Sequence, residues 1–159
     1  MKIKSLFVGL AAALIATASF AGRGSDGNVS IIYWQAPSIL NPYLSSGTKD
    51  IESSSMIIEP LGRYTETGAL VPYLAEEIPT VENGGVSSDL KSITWKLKKG
   101  LKWSDGSAVT SADVKFTADY CMHPEGGCAQ LAKFDGVTSV STPDDRTIVV
   151  KFSAPKPCL

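Results

Sequence analysis

The stretch over residues 93–120 constrains the fold most, because it joins an alternating segment to a helix with a recognisable start. Ile93, Trp95 and Leu97 alternate with Thr94, Lys96 and Lys98, and this period of two predicts a strand with one buried and one solvated face. Gly100 then interrupts the alternation, as expected at a bend or bulge. The segment therefore predicts a strand that bends toward further structure.

The second half of this stretch predicts a turn and a capped helix. Residues 101–103 resume the alternation as a short strand, and residues 104–107 (SDGS) form a turn, because Gly tolerates positive φ and Asp can bond its own backbone. Thr110 is the expected N-cap of a helix over residues 110–122. Asp113 stands three residues on, where a capping box has its acid.

These residues carry a resemblance to a known family. The segment LKKGLKWSDGSAVTSADVKFT, residues 97–117, resembles the hallmark segment of family 5 of the solute-binding proteins, which serve bacterial ABC importers of peptides and nickel. The positions that match that pattern are Leu97, Gly100, Trp103, Asp105, Gly106, Thr110, Ala112, Asp113, Val114 and Phe116. The resemblance implies a mixed α/β fold, the N-terminal lobe of a type II periplasmic-binding-protein-like fold. It covers the first part of the family's length, so we expect this lobe to be incomplete and the chain to be an N-terminal fragment.

The beginning of the chain has the pattern of an export signal. Lys2 and Lys4 precede an apolar run over residues 6–16, and Ser19-Phe20-Ala21 fits the small-x-small cleavage rule. The run is shorter than the roughly 20 apolar residues of a membrane span. We therefore expect a signal peptide over residues 1–21, a flexible mature N-terminus over residues 22–27, and the partial lobe over residues 28–159. Export without a lipid-bearing cysteine at the cleavage site favours the periplasm.

Several classes of function are disfavoured. The formal net charge is −1, with no basic patch, so nucleic acid is not an expected partner. Residues 22–27 (GRGSDG) spell G-x-G-x-x-G, but they precede a predicted strand, whereas a dinucleotide-binding loop follows one. No catalytic motif is present, and His123 is the single histidine. We therefore expect neither an enzyme nor a cofactor.

Cysteine usage agrees with export. Cys121 ends the predicted helix, Cys128 follows a short Gly-rich loop, and Cys158 stands near the end of the sequence. An oxidising compartment favours a disulfide between Cys121 and Cys128, with Cys158 left unpaired. Two alternatives remain at this point: free thiols, and a metal site formed by Cys121, His123 and Cys128, which lacks a fourth ligand and standard zinc spacing.

The remaining segments give short elements. Residues 28–34 (NVSIIYW) predict a strand, and residues 48–61 predict a helix that Pro60 ends, with its Lys49, Asp50 and Glu52 side in solvent. A small hairpin is expected around Thr67-Gly68, another strand from Val81, and a second hairpin over residues 134–153 with its turn at 143–146.

The resemblance also implies where a ligand binds. In the family the first strand leads to the edge of the ligand cleft, and an Asn-Pro pair follows it, as in Asn41-Pro42 here. Aromatic rings can clamp apolar groups and amides can bond a peptide backbone. The candidate ligand-binding residues are Tyr33, Trp34, Gln35, Asn41 and Tyr43.

The resemblance thus implies a periplasmic solute-binding component of an ABC importer, with oligopeptides or dipeptides as favoured cargo. Its expected partners are that ligand and the ABC permease subunits of the inner membrane. The alternatives are the same family with nickel-chelate, oligosaccharide or haem cargo, and an exported fragment that is structural or binds nothing.

Overall fold

The computed structural model describes residues 27–28 and 30–156. The chain divides into two units, Met1–Trp34 and Gln35–Leu159. The predicted signal peptide and Cys158 lie outside the described residues. The predicted strand over residues 28–34 is wrong, since none of its described residues is in a strand. Its β-branched sequence has strand propensity, but a strand needs a partner, and Ile32 is 99% exposed.

A three-stranded antiparallel sheet forms the centre of the second unit. Its strands are β3 (Ser92–Lys96), β4 (Val137–Asp144) and β5 (Thr147–Phe152), in the order β3-β5-β4. Trp95 lies opposite Ile148. Ile93 and Leu97 are buried while Lys96 and Lys98 are exposed, so the predicted alternation is confirmed. The hairpin predicted over residues 134–153 is confirmed as β4 and β5.

The capped helix is confirmed as α2 (Ser111–Met122), with its N-cap at Thr110. The backbone N–H of Thr110 donates to Asp113 Oδ2 at 2.7 Å, which completes the capping box. The first turn is also attached to the sheet, because Ser111 N–H donates to Asp145 O at 2.8 Å and Ser111 Oγ donates to Asp144 O at 2.5 Å. Ser111 is 2% exposed. These bonds fix where α2 begins along the β4–β5 hairpin.

The hydrophobic core lies between α2 and the sheet. Leu97, Ala118, Val140 and Ile148 are buried and form one cluster. Partly buried apolar side chains surround it: Leu61, Leu74, Trp95, Leu101, Val114, Met122, Phe134, Val137 and Val150. The predicted turn over residues 104–107 is present, since Trp103 N–H donates to Ser107 O at 2.9 Å and Gly106 has φ +88°. The first strand, the turn and the helix start of the organising stretch are therefore confirmed. The short strand predicted over residues 101–103 is wrong, because Lys102 forms an isolated bridge with Ala108 and Trp103 is 48% exposed.

A small second sheet precedes the central one. Strands β1 (Gly62–Tyr64) and β2 (Leu70–Pro72) form the predicted hairpin. The strand predicted from Val81 is wrong, because residues 81–84 form a turn. Asn83 Oδ1 accepts from the N–H groups of Thr80 and Gly85, at 2.8 and 3.0 Å, and so closes the chain on itself.

Helix α1 (Thr48–Ser54) is shorter than the predicted helix over residues 48–61. It ends before Pro60, because Ser54 Oγ and Ser55 Oγ each donate at 2.6 Å to backbone carbonyls of the helix and compete with its continuation. The predicted solvent side is wrong for Asp50, which is 4% exposed, whereas Glu52 is exposed as predicted.

No helix in the described ranges 27–28 and 30–156 is both long and apolar enough to cross a membrane. A short 3₁₀ helix, Leu131–Phe134, completes the elements by connecting the region after α2 to β4. The second unit therefore contains two sheets, the larger one covered by α2. The loop before α1 is hydrogen-bonded to residues 129 and 130, which follow α2 in the chain.

The cap of α2 predicts a measurable loss of stability. Asp113→Ala removes the acceptor of the Thr110 N–H, and we expect it to lower the free energy of unfolding by about 1 kcal/mol. Asp119→Ala is the control on the same helix. It removes an exposed pair with Lys115 at 2.5 Å, of a kind worth about 0.3–0.5 kcal/mol. Urea unfolding followed by tryptophan fluorescence measures both, and equal losses would contradict the assigned role of the cap.

Candidate functional site

The loop over residues 35–47 carries three of the five candidate ligand residues. Within it Asn41 forms a turn, because its Oδ1 accepts from Tyr43 N–H at 2.9 Å and its backbone oxygen accepts from Leu44 N–H at 3.1 Å. Asn and Asp favour such turns because their short side chains can bond the backbone two residues on. The Asn41 oxygen thus shapes the loop, and its amide nitrogen is the group available to donate to a ligand.

The buried carboxylate of Asp50 holds the two ends of the loop together. Its Oδ1 accepts from the N–H of Ser38 at 2.6 Å, and its Oδ2 accepts from the hydroxyl of Ser45 at 2.7 Å. Lys49 Nζ lies 3.0 Å from Oδ1, so the buried charge is paired as well as hydrogen-bonded. A buried carboxylate is stable only with such partners. Asp50 was predicted to lie in solvent, and its position connecting loop and helix corrects that prediction.

These contacts lower the pKa of Asp50 well below the ordinary aspartate value. The hydrogen bond from the Ser45 hydroxyl is the largest cause, and the backbone bond from Ser38 is the next, since both favour the charged form. Asp50 therefore remains a carboxylate, and an acceptor for the loop, at neutral and mildly acidic pH.

A second set of hydrogen bonds holds the middle of the loop. Ala129 N–H donates to Tyr43 O at 2.8 Å. The side chain of Gln130 donates through Nε2 to Ser45 O at 3.1 Å and to Pro42 O at 3.5 Å. Neither residue carried a sequence signal, because all three bonds join residues more than 80 positions apart.

The segment that supplies these donors begins at a disulfide. Cys121 and Cys128 are joined, with an S–S distance of 2.04 Å and Cα atoms 4.9 Å apart. The preferred prediction is confirmed, and both alternatives are corrected, because neither sulfur remains as the thiolate that a metal requires. Among the described residues, no cluster of three or more His, Cys, Asp or Glu side chains could hold a metal ion.

Next to the loop, an apolar cavity of about 300 Å³ opens between α2 and the sheet. Tyr43 connects the two features, since its side chain lines the cavity and burial raises the pKa of its hydroxyl. The lining is mostly aromatic and aliphatic, with Glu59, Asp113 and Thr117 as its polar members. Its apolar members include Trp95, Trp103, Val114, Phe134 and Val150. Such a space favours apolar groups, because it offers water few partners.

The candidate residues differ in where the structure places them. Asn41 and Tyr43 come together in the turn, while Gln35 is exposed at the start of the second unit. Tyr33 and Trp34 belong to the first unit, where their ring centroids are 6.0 Å apart and Trp34 is 69% exposed. The role of each in ligand binding stays a prediction.

The fold defines the class of protein. The solved structure of the binding protein AgaA from A. tumefaciens, in complex with agropinic acid, matches 76% of this chain with 30% identity and a TM-score of 0.67. Haemophilus influenzae OppA, in complex with RPPGFSPFR, matches 77% with 24% identity and a TM-score of 0.68. The predicted fold class is therefore confirmed: this is a mixed α/β fold that matches part of a periplasmic binding protein.

The family is identified by its sequence model. The model for bacterial extracellular solute-binding proteins, family 5 (middle), matches residues 69–159, and the chain belongs to this family. A putative ABC transporter peptide-binding protein of Brucella ovis is 38% identical over 74 residues, which cover 46% of this chain. The chain matches 14% of the length of that relative, 23% of AgaA and 26% of OppA.

The buried carboxylate predicts a pH-dependent stability. Because the folded pKa of Asp50 is depressed, its contribution is complete above about pH 5, where an unfolded aspartate is charged, and declines as pH falls through about pH 4 and below. We expect Asp50→Asn to lower the urea midpoint at pH 7, and the difference from wild type to narrow between about pH 4 and pH 2.5.

Glu52→Gln is the matched control, an exposed carboxylate on the same short helix. Glu52→Gln should leave the urea midpoint equal to that of wild type at pH 7 and at pH 2.5. A difference between wild type and Asp50→Asn that stayed constant from pH 7 to pH 2.5 would show that the carboxylate does not hold the loop as a charged acceptor.

Proposed function

We propose that this chain is part of the periplasmic solute-binding component of an ABC importer, with short peptides as its cargo. The observation that carries the proposal is its membership of the family 5 solute-binding proteins over residues 69–159. The predicted export signal over residues 1–21 supports a periplasmic location. The ABC permease subunits of the inner membrane are then the partners to which the loaded protein delivers its ligand.

Peptide cargo is supported by the relatives and by the chemistry of the loop. The Brucella ovis relative is a putative peptide-binding protein, and OppA holds the peptide RPPGFSPFR. Here the amides of Gln35 and Asn41 can pair with peptide groups, and the ring of Tyr43 offers apolar surface. Peptide ligands present both kinds of group, which is the mixture that small-molecule sites favour.

The mechanism we infer is capture between two lobes. The described lobe supplies one wall, which includes the loop held by Asp50 and Gln130. The other wall comes from a second lobe of the full-length protein, which closes over the bound solute about a hinge. Closure is favourable only to the extent that ligand makes better contacts in the closed state.

Calorimetry of the native exported protein against pools of di- to pentapeptides tests this proposal. We expect saturable heat with at least one pool. Absence of heat with every pool would defeat the peptide assignment, and absence with agropinic acid and nickel–histidine as well would favour an exported structural fragment. Intact mass of the same sample shows whether the native protein is longer than this sequence.

Aromatic variants test the candidate residues. Trp34→Ala or Tyr43→Ala should weaken peptide binding about tenfold, since truncating an aromatic contact in a binding site costs more than about 1 kcal/mol. Tyr64→Ala is the control, because Tyr64 is 67% exposed on β1 and outside the candidate set. Equal peptide affinity in all three variants would show that Trp34 and Tyr43 do not belong to the binding site.

A further inference from the structure

The turn that carries Asn41 and Tyr43 is held from two sides by different parts of the chain. Asp50 holds its flanks, through the N–H of Ser38 and the hydroxyl of Ser45. The carbonyl groups of the turn itself accept from a second source, Ala129 N–H and the Gln130 side chain. Three carbonyls, those of Pro42, Tyr43 and Ser45, thus depend on two consecutive residues far along the sequence.

The placement of those two residues depends on the disulfide. Cys128 directly precedes Ala129 and is bonded to Cys121, which is 1% exposed on α2. The intervening loop reverses tightly, since a Cβ on Gly126 would lie 2.3 Å from Tyr120 O. The disulfide therefore links Gln130 to helix α2 by a short covalent path. The position of α2 thereby helps to set the position of the turn.

We propose that Gln130 is a positioning residue for ligand capture, and that the Cys121–Cys128 disulfide holds Gln130 in place. The proposal rests on the solute-binding function proposed above. Gln130 acts through the backbone of the turn and needs no contact with ligand. Its two Nε2–H groups match two carbonyl acceptors of the turn, Ser45 O and Pro42 O.

The expected consequence is on affinity. A turn fixed before ligand arrives loses little conformational freedom on binding, whereas a mobile turn must be ordered at the expense of binding free energy. Loosening the Gln130 contacts should therefore weaken ligand binding even though no side chain facing the ligand has changed. The Nε2–H groups of Gln130 make these contacts. A variant that lacks a donor at this position can therefore be compared directly with one that keeps a donor.

Two variants separate the donor from the shape of the side chain. Gln130→Glu keeps the size but removes the donor, and Gln130→Lys keeps a donor of similar reach. Amide hydrogen exchange at Ala129 and Leu44, measured by NMR on the full chain, reports the integrity of the turn directly. We expect Gln130→Glu to raise exchange at both amides and to weaken peptide affinity by about fivefold or more, because the bonds to Ser45 O and Pro42 O are both lost. Gln130→Lys should stay close to wild type.

Lys133→Ala, an exposed position three residues on, is the control and should change neither measurement. The Cys121→Ser/Cys128→Ser double variant should reproduce the exchange increase if it folds. Unchanged exchange in Gln130→Glu would overturn the positioning role, as would faster exchange with unchanged affinity. If wild type binds no ligand, the proposed function fails, and the exchange at Ala129 still decides whether Gln130 holds the turn.

Discussion

The packing of helix α2 against the three-stranded sheet is the interaction on which the rest of the second unit depends. Leu97, Ala118, Val140 and Ile148 meet there, and burying each large side chain contributes about 1.5–3 kcal/mol. The bonds of Ser111 to the β4–β5 turn set the position of the helix along the sheet. Because the last turn of the same helix carries the disulfide, this position also determines where the donors to the loop over residues 35–47 lie.

The elements that could be predicted from sequence are those whose determinants lie close together in the chain. The alternation ending at Leu97 specifies a half-buried strand by itself, and Thr110 with Asp113 specifies a helix start within four residues. The disulfide was predictable for the same reason, since Cys121 and Cys128 are separated by a short loop. The family resemblance depends on this same stretch, so fold class and family were accessible together.

Two kinds of interaction explain the wrong predictions: local side-chain bonds, which end α1 early and turn the chain after Val81, and bonds to distant partners. Asp50 has the sequence appearance of a solvated helix face, but it is buried because Ser38, twelve residues earlier, supplies a donor for its charge. The segment over residues 28–34 has strand propensity without a paired strand among the described residues. Gln130 had no sequence signal, because its acceptor Ser45 is 85 residues away. Local patterns cannot specify such pairs, and these pairs shape the candidate site.

The two supports of the loop over residues 35–47 both persist in an oxidising and mildly acidic medium. The depressed pKa of Asp50 keeps its carboxylate charged when the surroundings become mildly acidic, so the bonds to Ser38 and Ser45 persist. The other support includes a disulfide, which an oxidising compartment maintains. Neither support involves the side chain of Asn41 or Tyr43. Replacing the Tyr43 side chain would therefore leave both supports in place, whereas replacing Asn41 would remove the acceptor of the Tyr43 N–H that shapes the turn. Of the two candidate residues, only Tyr43 separates the requirements of folding from those of the proposed recognition.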